Sequence, residues 1–552
     1  MQPGRYFAPL LCAPSFKIEN ILAIFASGFT FVVGAHWVLS VGCGGSAVPI
    51  DILPPTSPSS RMRRRFPLVI VVWSLLGAMR ISVMAVDPAE DPNALHTFTS
   101  TTGQSVKARI VNAAADSVTL AGEDNRPFTV KLAILSAPDQ TFIKRWITLK
   151  TTPGAAANAN VTADAINQAI GVPLFTDSSL WEEKPEAVAA RLKWPKESET
   201  KFTISFRSYP NNSYRFLGAR SYSNALYGED GRTTSLSLVF ANKGDLFGKE
   251  KTGGEKIATD REHMSTLDDA MEADVKAISD ALTKALGAPK PQRYGDGVGR
   301  SKVLRWDWKG HAFLLQDIDR EYVALEVEEA AFADAGGKMA RVPQTTLRDR
   351  AKANVERREN GDVVVTNVPM VDQGPKGYCV PATCERVMRY VGLPADMYIL
   401  AMAGKSGLGG GTNFETLFNG MKPEMASKSR NLTSWRGSMV MQSLAQHIDD
   451  GFPVIWGMYT TPAFNEEVWA RTKERKSITD WAAWKSKMHE VARTSKLTAE
   501  TNYGHGTLII GYNKTTGEIA ISDSWGMRAA ERWVTLAEAE QVSQKCFFVI
   551  GL

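Results

Sequence analysis

The chain has 552 residues, too many for one ordinary core, so about two to four domains are expected. It is 44% hydrophobic and 22% charged, the usage of a globular protein rather than a disordered or fibrous one. Its net charge of +5 is carried entirely by residues 1–85, which hold seven Lys/Arg against two Asp/Glu, and the neutral remainder gives no electrostatic reason for nucleic acid as a partner.

Two apolar runs come first. Ile18 to Val41, interrupted by His36, is long enough to span a membrane. The second lies in "MRRRFPLVIVVWSLLGAMRISVMA", starting at Met62. Three arginines precede its apolar run, and Val83-Met84-Ala85 ends it ahead of Val86-Asp87-Pro88, which is the layout of a secretory signal. Residues 62–85 are therefore read as a signal peptide and residues 1–61 as a misassigned or unstructured extension. The protein is then exported, periplasmic or extracellular, with no stable membrane insertion after signal removal. The alternative is a membrane anchor at 18–41. Export removes Cys12 and Cys43 and leaves Cys379, Cys384 and Cys546, too few for a disulfide framework.

Residues 95–147 alternate apolar and polar in short runs, separated by turn residues at Thr102-Gly103, Ala115-Asp116 and Glu123-Asp124-Asn125. The pattern predicts a small β barrel followed by a short helix capped by Ser136. With its ending "FTVKLAILSAPDQTF", the stretch resembles the Sla-homology type of small domain. The resemblance implies a module that binds a protein ligand. A barrel without a ligand is the alternative.

After the linker "KTTPGAAANANVT", residues 160–330 read as an α+β domain of unknown role. Strands are predicted at Phe202 to Arg207, Phe216 to Ser221 and Ser235 to Ala241. A helix is predicted from Leu267 to Leu286, capped by Ser265 or Thr266 and stopped by Gly287 and Pro289. A three-stranded meander is predicted from Val303 to Glu328. Trp306, Trp308 and His311 there read as strand and core residues rather than a stacking platform or a ligand. A second linker, "FADAGGKMARVPQ", leads to a charged helix ending at Gly361 and then to the β-branched run "DVVVTNVPMV".

The chemistry-bearing residues come last. In "VDQGPKGYCVPATCERVMRYVG" Pro381 suits a first helical turn and Gly392 a stop, so Cys379 sits at a helix N-terminus and Cys384 inside the helix. The helix dipole favours a thiolate at Cys379 by about 0.3–1 kcal/mol. Cys384 reads as packing. A thiolate nucleophile needs a base, and the base an orienter. "NYGHGTLIIGYN" places His505 at the start of an apolar strand, between Gly504 and Gly506, which leave room for substrate. "GEIAISDSWG" places Asp523 at the end of the next strand. A short turn between the strands makes an antiparallel hairpin that brings Asp523 to His505.

The ordered set Gln373, Cys379, His505, Asp523 resembles the papain-like cysteine peptidases, nearest the bacterial double-glycine-leader peptidase-like group, over residues 360–552. The shared marks are a glutamine six residues before the cysteine, Gly-Tyr six and seven residues after the histidine, and "DSWG" where papain-like enzymes have Asn-Ser-Trp-Gly. The phrase "IDDGFPVIWGMYTT" resembles that group's central strand. The resemblance implies that Cys379 is the nucleophile and His505 the base, with Asp523 orienting the imidazole. The Gln373 amide and the Cys379 backbone N–H would form the oxyanion hole, and Trp525 would shield the His505–Asp523 bond. Aspartate in place of asparagine should favour the imidazolium.

The fold expected is thus α+β and multidomain, with an N-terminal small β barrel, a central α+β domain and a papain-like peptidase fold at 345–552. The function expected is an exported cysteine peptidase acting on a peptide or protein substrate, without cofactor or metal. The alternatives are a related thiol amidohydrolase or acyltransferase, or a non-catalytic peptide-binding protein on a peptidase-like scaffold. "GKSGLGGGTNFETL" lacks a phosphate-loop lysine after its last glycine and reads as a cleft border or connector. Residues 461–500 read as a helical insertion, either a lid or a surface subdomain. His447 and His489 have no paired ligand.

Overall fold

The computed structural model describes residues 95–552 except 115, 123–125, 141, 144–160, 177–178, 249–259 and 339–341. Contacts divide the chain after Met84, and the expected signal peptide at 62–85 and the 18–41 run lie outside the described residues. Among the described residues no helix is long and apolar enough to cross a membrane.

Four strands, β1 (His96–Thr99), β2 (Ser105–Ala113), β3 (Ser117–Gly122) and β4 (Pro127–Lys131), pair in chain order. Phe98, Ala108, Ile110, Val118 and Leu120 bury one face. The expected barrel does not form, because β1 and β4 do not pair and the sheet stays open. Four short strands cannot supply the tilt and stagger that closure requires. The chain after β4 is instead clipped back onto β1. The Ser136 N–H donates to the Thr99 carbonyl at 2.7 Å. The Asp139 carboxylate accepts from the Thr99 N–H at 2.8 Å and the Ser136 hydroxyl at 2.6 Å, and meets His96 Nε2 at 2.7 Å.

The central domain opens with α1 (Ala163–Ile170) and α2 (Pro185–Leu192). Next come β5 (Lys196–Glu199), β6 (Thr203–Ser208), β7 (Ser223–Glu229) and β8 (Arg232–Asn242). A short α3 (Lys243–Leu246), a long α4 (Asp260–Leu286) and β9 (Lys290–Tyr294) follow. The expected meander is β10 (Ser301–Trp308), β11 (His311–Ile318) and β12 (Tyr322–Glu329), ending in α5 (Ala330–Asp334). All eight strands form one antiparallel sheet in the order β5-β6-β7-β8-β12-β11-β10-β9. Period-2 alternation divides its faces. Val323, Leu325 and Val327 of β12 join Leu267, Ile278 and Leu282 of α4 in one core. Tyr322 and Ala324, on the other face, pack against the C-terminal unit.

Three expectations are corrected here. Helix α4 already runs from Asp260, so Ser265 and Thr266 lie within it, and the Thr266 hydroxyl bonds back to the Glu262 carbonyl at 3.0 Å. Phe216 to Ser221 is a turn, since Leu217 and Gly218 have φ of 52° and 80° and Phe216 bridges only to Ala219. The charged helix, α6 (Gln344–Ala353), ends well before Gly361, because β13 (Val355–Arg357) turns back to pair with β14 (Val363–Val365). Trp306, Trp308 and His311 are buried as expected, and His311 Nε2 accepts from the Leu180 N–H at 3.3 Å.

In the C-terminal unit α7 (Cys379–Tyr390), α8 (Met397–Ala403) and α9 (Phe414–Ser427) precede β15 (Asn431–Arg436) and α10 (Met441–Asp449). Then come β16 (Val454–Tyr459), α11 (Pro462–Arg475), α12 (Trp481–Thr494), β17 (Gly504–Asn513) and β18 (Glu518–Ser522). The chain ends with β19 (Arg532–Thr535), α13 (Leu536–Gln541) and β20 (Ser543–Gly551). The sheet order is β13-β14-β17-β16-β20-β15, with β18 and then β19 branching from β17. Helices α7 and α9 cover one face through Val380, Cys384, Val387 and Leu417, against Ile455, Leu508 and Phe548.

Candidate active site

Helix α7 begins at Cys379 and has no side-chain cap, so its first N–H groups face outward at the thiol. Cys379 is partly exposed, and the groups that act on its thiol are His505 and the backbone N–H groups of Gly506 and Val380. Burial pushes this thiol up. His505 and the two N–H groups outweigh burial and bring it below the ordinary thiol value. Cys384 has no such help, is fully buried, and burial pushes it well above that value.

His505 is the second residue of β17, which lies between β16 and β18. The register sets Met458 opposite His505 and Ser522 opposite Leu508, so Asp523, just past β18, falls beside the imidazole. His505 Nε2 meets Asp523 Oδ1 at 2.8 Å, both side chains being buried. Burial works against the imidazolium, but the bonds to Asp523 and Cys379 raise His505 to about 9. The Trp525 ring lies 4.7 Å from the imidazole, tilted by 31°.

Behind Asp523 stands a residue that the motifs did not point to. Arg532, on β19 and fully buried, donates Nε to Asp523 Oδ2 at 2.9 Å and adds a second bond from Nη2. Its Nη1 donates to Asn465 of α11 at 3.0 Å, and its guanidinium lies over Trp469 and Trp525 at 4.7 and 5.1 Å. Burial pushes the Asp523 carboxyl up, yet Arg532 and His505 hold it well below the usual carboxylate range. Arg386 braces the same corner, donating to the Pro369 carbonyl and to the Ser522 carbonyl and hydroxyl at 2.6–3.1 Å. The only sequence signal for Arg532 was an arginine inside a short strand ending in Trp-Val-Thr.

The insertion of 461–500 packs behind Asp523 through its two helices. Asn465 and Trp469 touch Arg532, the Trp533 N–H donates to Thr472, and Trp484 and Met488 are buried.

Gln373 reaches the site on the loop before α7. Its backbone N–H donates to the Ser524 carbonyl at 2.9 Å, tying the loop to the residue after Asp523. One side-chain N–H donates to the Lys376 carbonyl at 2.9 Å, and the amide oxygen is buried without a partner. The two glycines beside His505 differ. A Cβ at Gly504 would have only ordinary contacts, whereas one at Gly506 would lie 2.8 Å from Phe414 and 3.0 Å from Val380. Gly506 therefore leaves room for α7 and α9 rather than for substrate. The Thr383 hydroxyl donates to the Gly506 carbonyl at 3.0 Å, locking helix to strand.

Residues 365–546 match the family described as Peptidase_C39 like family. Among solved structures, the peptidase domain of Streptococcus ComA, a bi-functional ABC transporter involved in a quorum sensing pathway, is similar at 11% identity. That likeness covers 34% of this chain and 98% of that domain, with a TM-score of 0.23. No curated protein matches. On the family match, the C-terminal unit has a C39-like peptidase fold.

Proposed function

We propose that the chain is an exported cysteine peptidase, with Cys379 as nucleophile, His505 as acid and base, and Asp523 as the residue that orients the imidazole. The observation that carries the reading is the buried His505–Asp523–Arg532 series, with Cys379 responding to His505, within a region that matches a cysteine-peptidase family. A lowered thiol beside a raised imidazole favours the thiolate–imidazolium form that nucleophilic attack requires.

In this mechanism Cys379 Sγ attacks the peptide carbonyl carbon and the C=O electron pair moves onto oxygen. The Cys379 backbone N–H and the second Gln373 side-chain N–H stabilise that oxyanion, each worth about 10²–10³ in rate. The C–N bond then breaks, the amine takes the His505 proton, and a thioester remains on Cys379. Water gives a proton to His505 and attacks the thioester carbon. The acid product leaves, Cys379 departs as thiolate, and the starting pair is restored. Trp525 keeps water from the His505–Asp523 bond. The open sheet β1–β4 is read as a Sla-homology-type module that binds a protein ligand, and export rests on residues 62–85.

The test is digestion of a peptide library by the whole chain and by Cys379→Ala. Cleavage by the wild type alone supports the reading. No cleavage by either moves it to a thiol hydrolase of another amide or to a non-catalytic scaffold.

A further inference from the structure

The loop that carries Gln373 is held from the central domain. Glu197 accepts the Asp372 N–H at 2.8 Å, and the Ser198 hydroxyl accepts the Met370 N–H at 2.9 Å. The Tyr209 hydroxyl donates to the Asp372 carbonyl. Asp245, on α3, pairs with Lys376 Nζ at 3.1 Å, and the two side chains are 2% and 0% exposed. The ammonium sits among the rings of Tyr209, Tyr378 and Tyr398, at 4.8, 5.6 and 5.0 Å. The Tyr398 hydroxyl donates to the other Asp245 oxygen at 2.8 Å.

The backbone repeats the connection. The Lys243 carbonyl accepts the Gly409 N–H at 2.9 Å, and the Gly409 carbonyl accepts the Gly377 N–H at 2.8 Å. A Cβ on Gly410 would lie 2.3 Å from Gly377 Cα, and one on Gly374 would lie 2.5 Å from the Tyr209 ring. The glycine-rich turn of 407–411 thus clamps this loop instead of serving as a free connector.

A buried ion pair is weak evidence for stability alone, since desolvation offsets much of its attraction. Burial in fact lowers Lys376 below the ordinary lysine value despite Asp245. What the pair does is fix one peptide group. The Lys376 carbonyl is the acceptor that orients the Gln373 amide nitrogen. We propose that the central domain is part of the catalytic apparatus, Asp245 acting through Lys376, with Tyr209 as second anchor, to position the oxyanion-binding amide of Gln373. The effect on rate rests on the peptidase reading above, while the effect on the loop does not.

The test uses the full chain with Asp245→Asn, with Tyr209→Phe, and with each combined with Gln373→Ala. Hydrogen exchange of residues 371–378 is followed by mass spectrometry, alongside kcat, KM and the alkylation rate of Cys379. Opening of the clamp should speed exchange in 371–378 at least ~10-fold and leave residues 505–513 unchanged. Displacing the amide should lower kcat about 10–100-fold with KM moved less. That loss should vanish in the Gln373→Ala background, and Cys379 should alkylate at the wild-type rate. Tyr209→Phe removes a single oxygen and carries the test if Asp245→Asn does not fold. Unchanged exchange in both variants overturns the proposal. Losses that add fully to that of Gln373→Ala overturn it too. Faster exchange in a chain that cleaves no peptide leaves the anchoring standing and removes the peptidase reading instead.

Discussion

The Cys379 thiol is drawn below its ordinary value and His505 is raised to about 9, and both shifts favour the proton on the imidazole. The pair titrates as a unit. The rate, kcat/KM, should rise as the thiol ionises, below the ordinary thiol range, and fall as the imidazolium is lost near pH 9. Iodoacetamide at neutral pH should label Cys379 well before Cys384 and Cys546, and equal labelling would refute the ion pair. Stability follows the same sign. The folded His505 value lies above the ordinary 6.5, so its stabilisation is complete below that value and is lost as pH rises through about 9. Arg532 makes a second prediction. Removing one partner of a buried pair strands the other charge, so Arg532→Met should lower stability by about 3–5 kcal/mol in urea unfolding. A change within about 0.5 kcal/mol, the range of an ordinary surface substitution, would show that Asp523 does not need it.

At the scale of elements, the site is a helix end laid on a hairpin. The hairpin was legible because its strands are β-branched runs with a turn between them, and their lengths carry Asp523 back to His505. The helix end was legible from Pro381 and Gly392. How the two meet was not, because the close approach uses Gly506, and the sequence shows that glycine without showing that α7 and α9 rather than substrate fill the space beside it. Gly506→Ala should push Val380 and Phe414 away and separate Cys379 from His505. A displacement of that kind costs up to about 10²-fold in rate. The variant should fold, cleave at least ~10-fold more slowly and alkylate Cys379 more slowly. Wild-type rates for both would mean that the neighbours yield without moving the thiol.

For the whole molecule, the central domain is the part that local pattern could not interpret. Its meander and two of its other strands were visible as alternation, but its proposed role depends on pairs such as Asp245 and Lys376, 131 residues apart. No short-range rule links them. The open β1–β4 sheet was misread for a related reason, since strand spacing signals strands and not whether the first and last will meet. Val371, Tyr378, Ala382, Met397, Tyr398 and Ala401 of the C-terminal unit bury themselves against Val239, Tyr322 and Ala324. A fragment of residues 342–552 should therefore expose an apolar face, melt well below the whole chain or aggregate, and cleave nothing. A soluble fragment with the full chain's kcat/KM would show the two units to be independent.

The central claim is a peptide bond broken through a thioester on Cys379. Acid quenching of the whole chain during turnover of a slowly cleaved peptide, followed by mass spectrometry of its tryptic fragments, reads that species directly. The predicted result is the N-terminal half of the peptide attached to the fragment containing Cys379, and absent from Cys379→Ala and from wild type without peptide. Peptide cleavage with no adduct at Cys379, or cleavage that persists in Cys379→Ala, would contradict it.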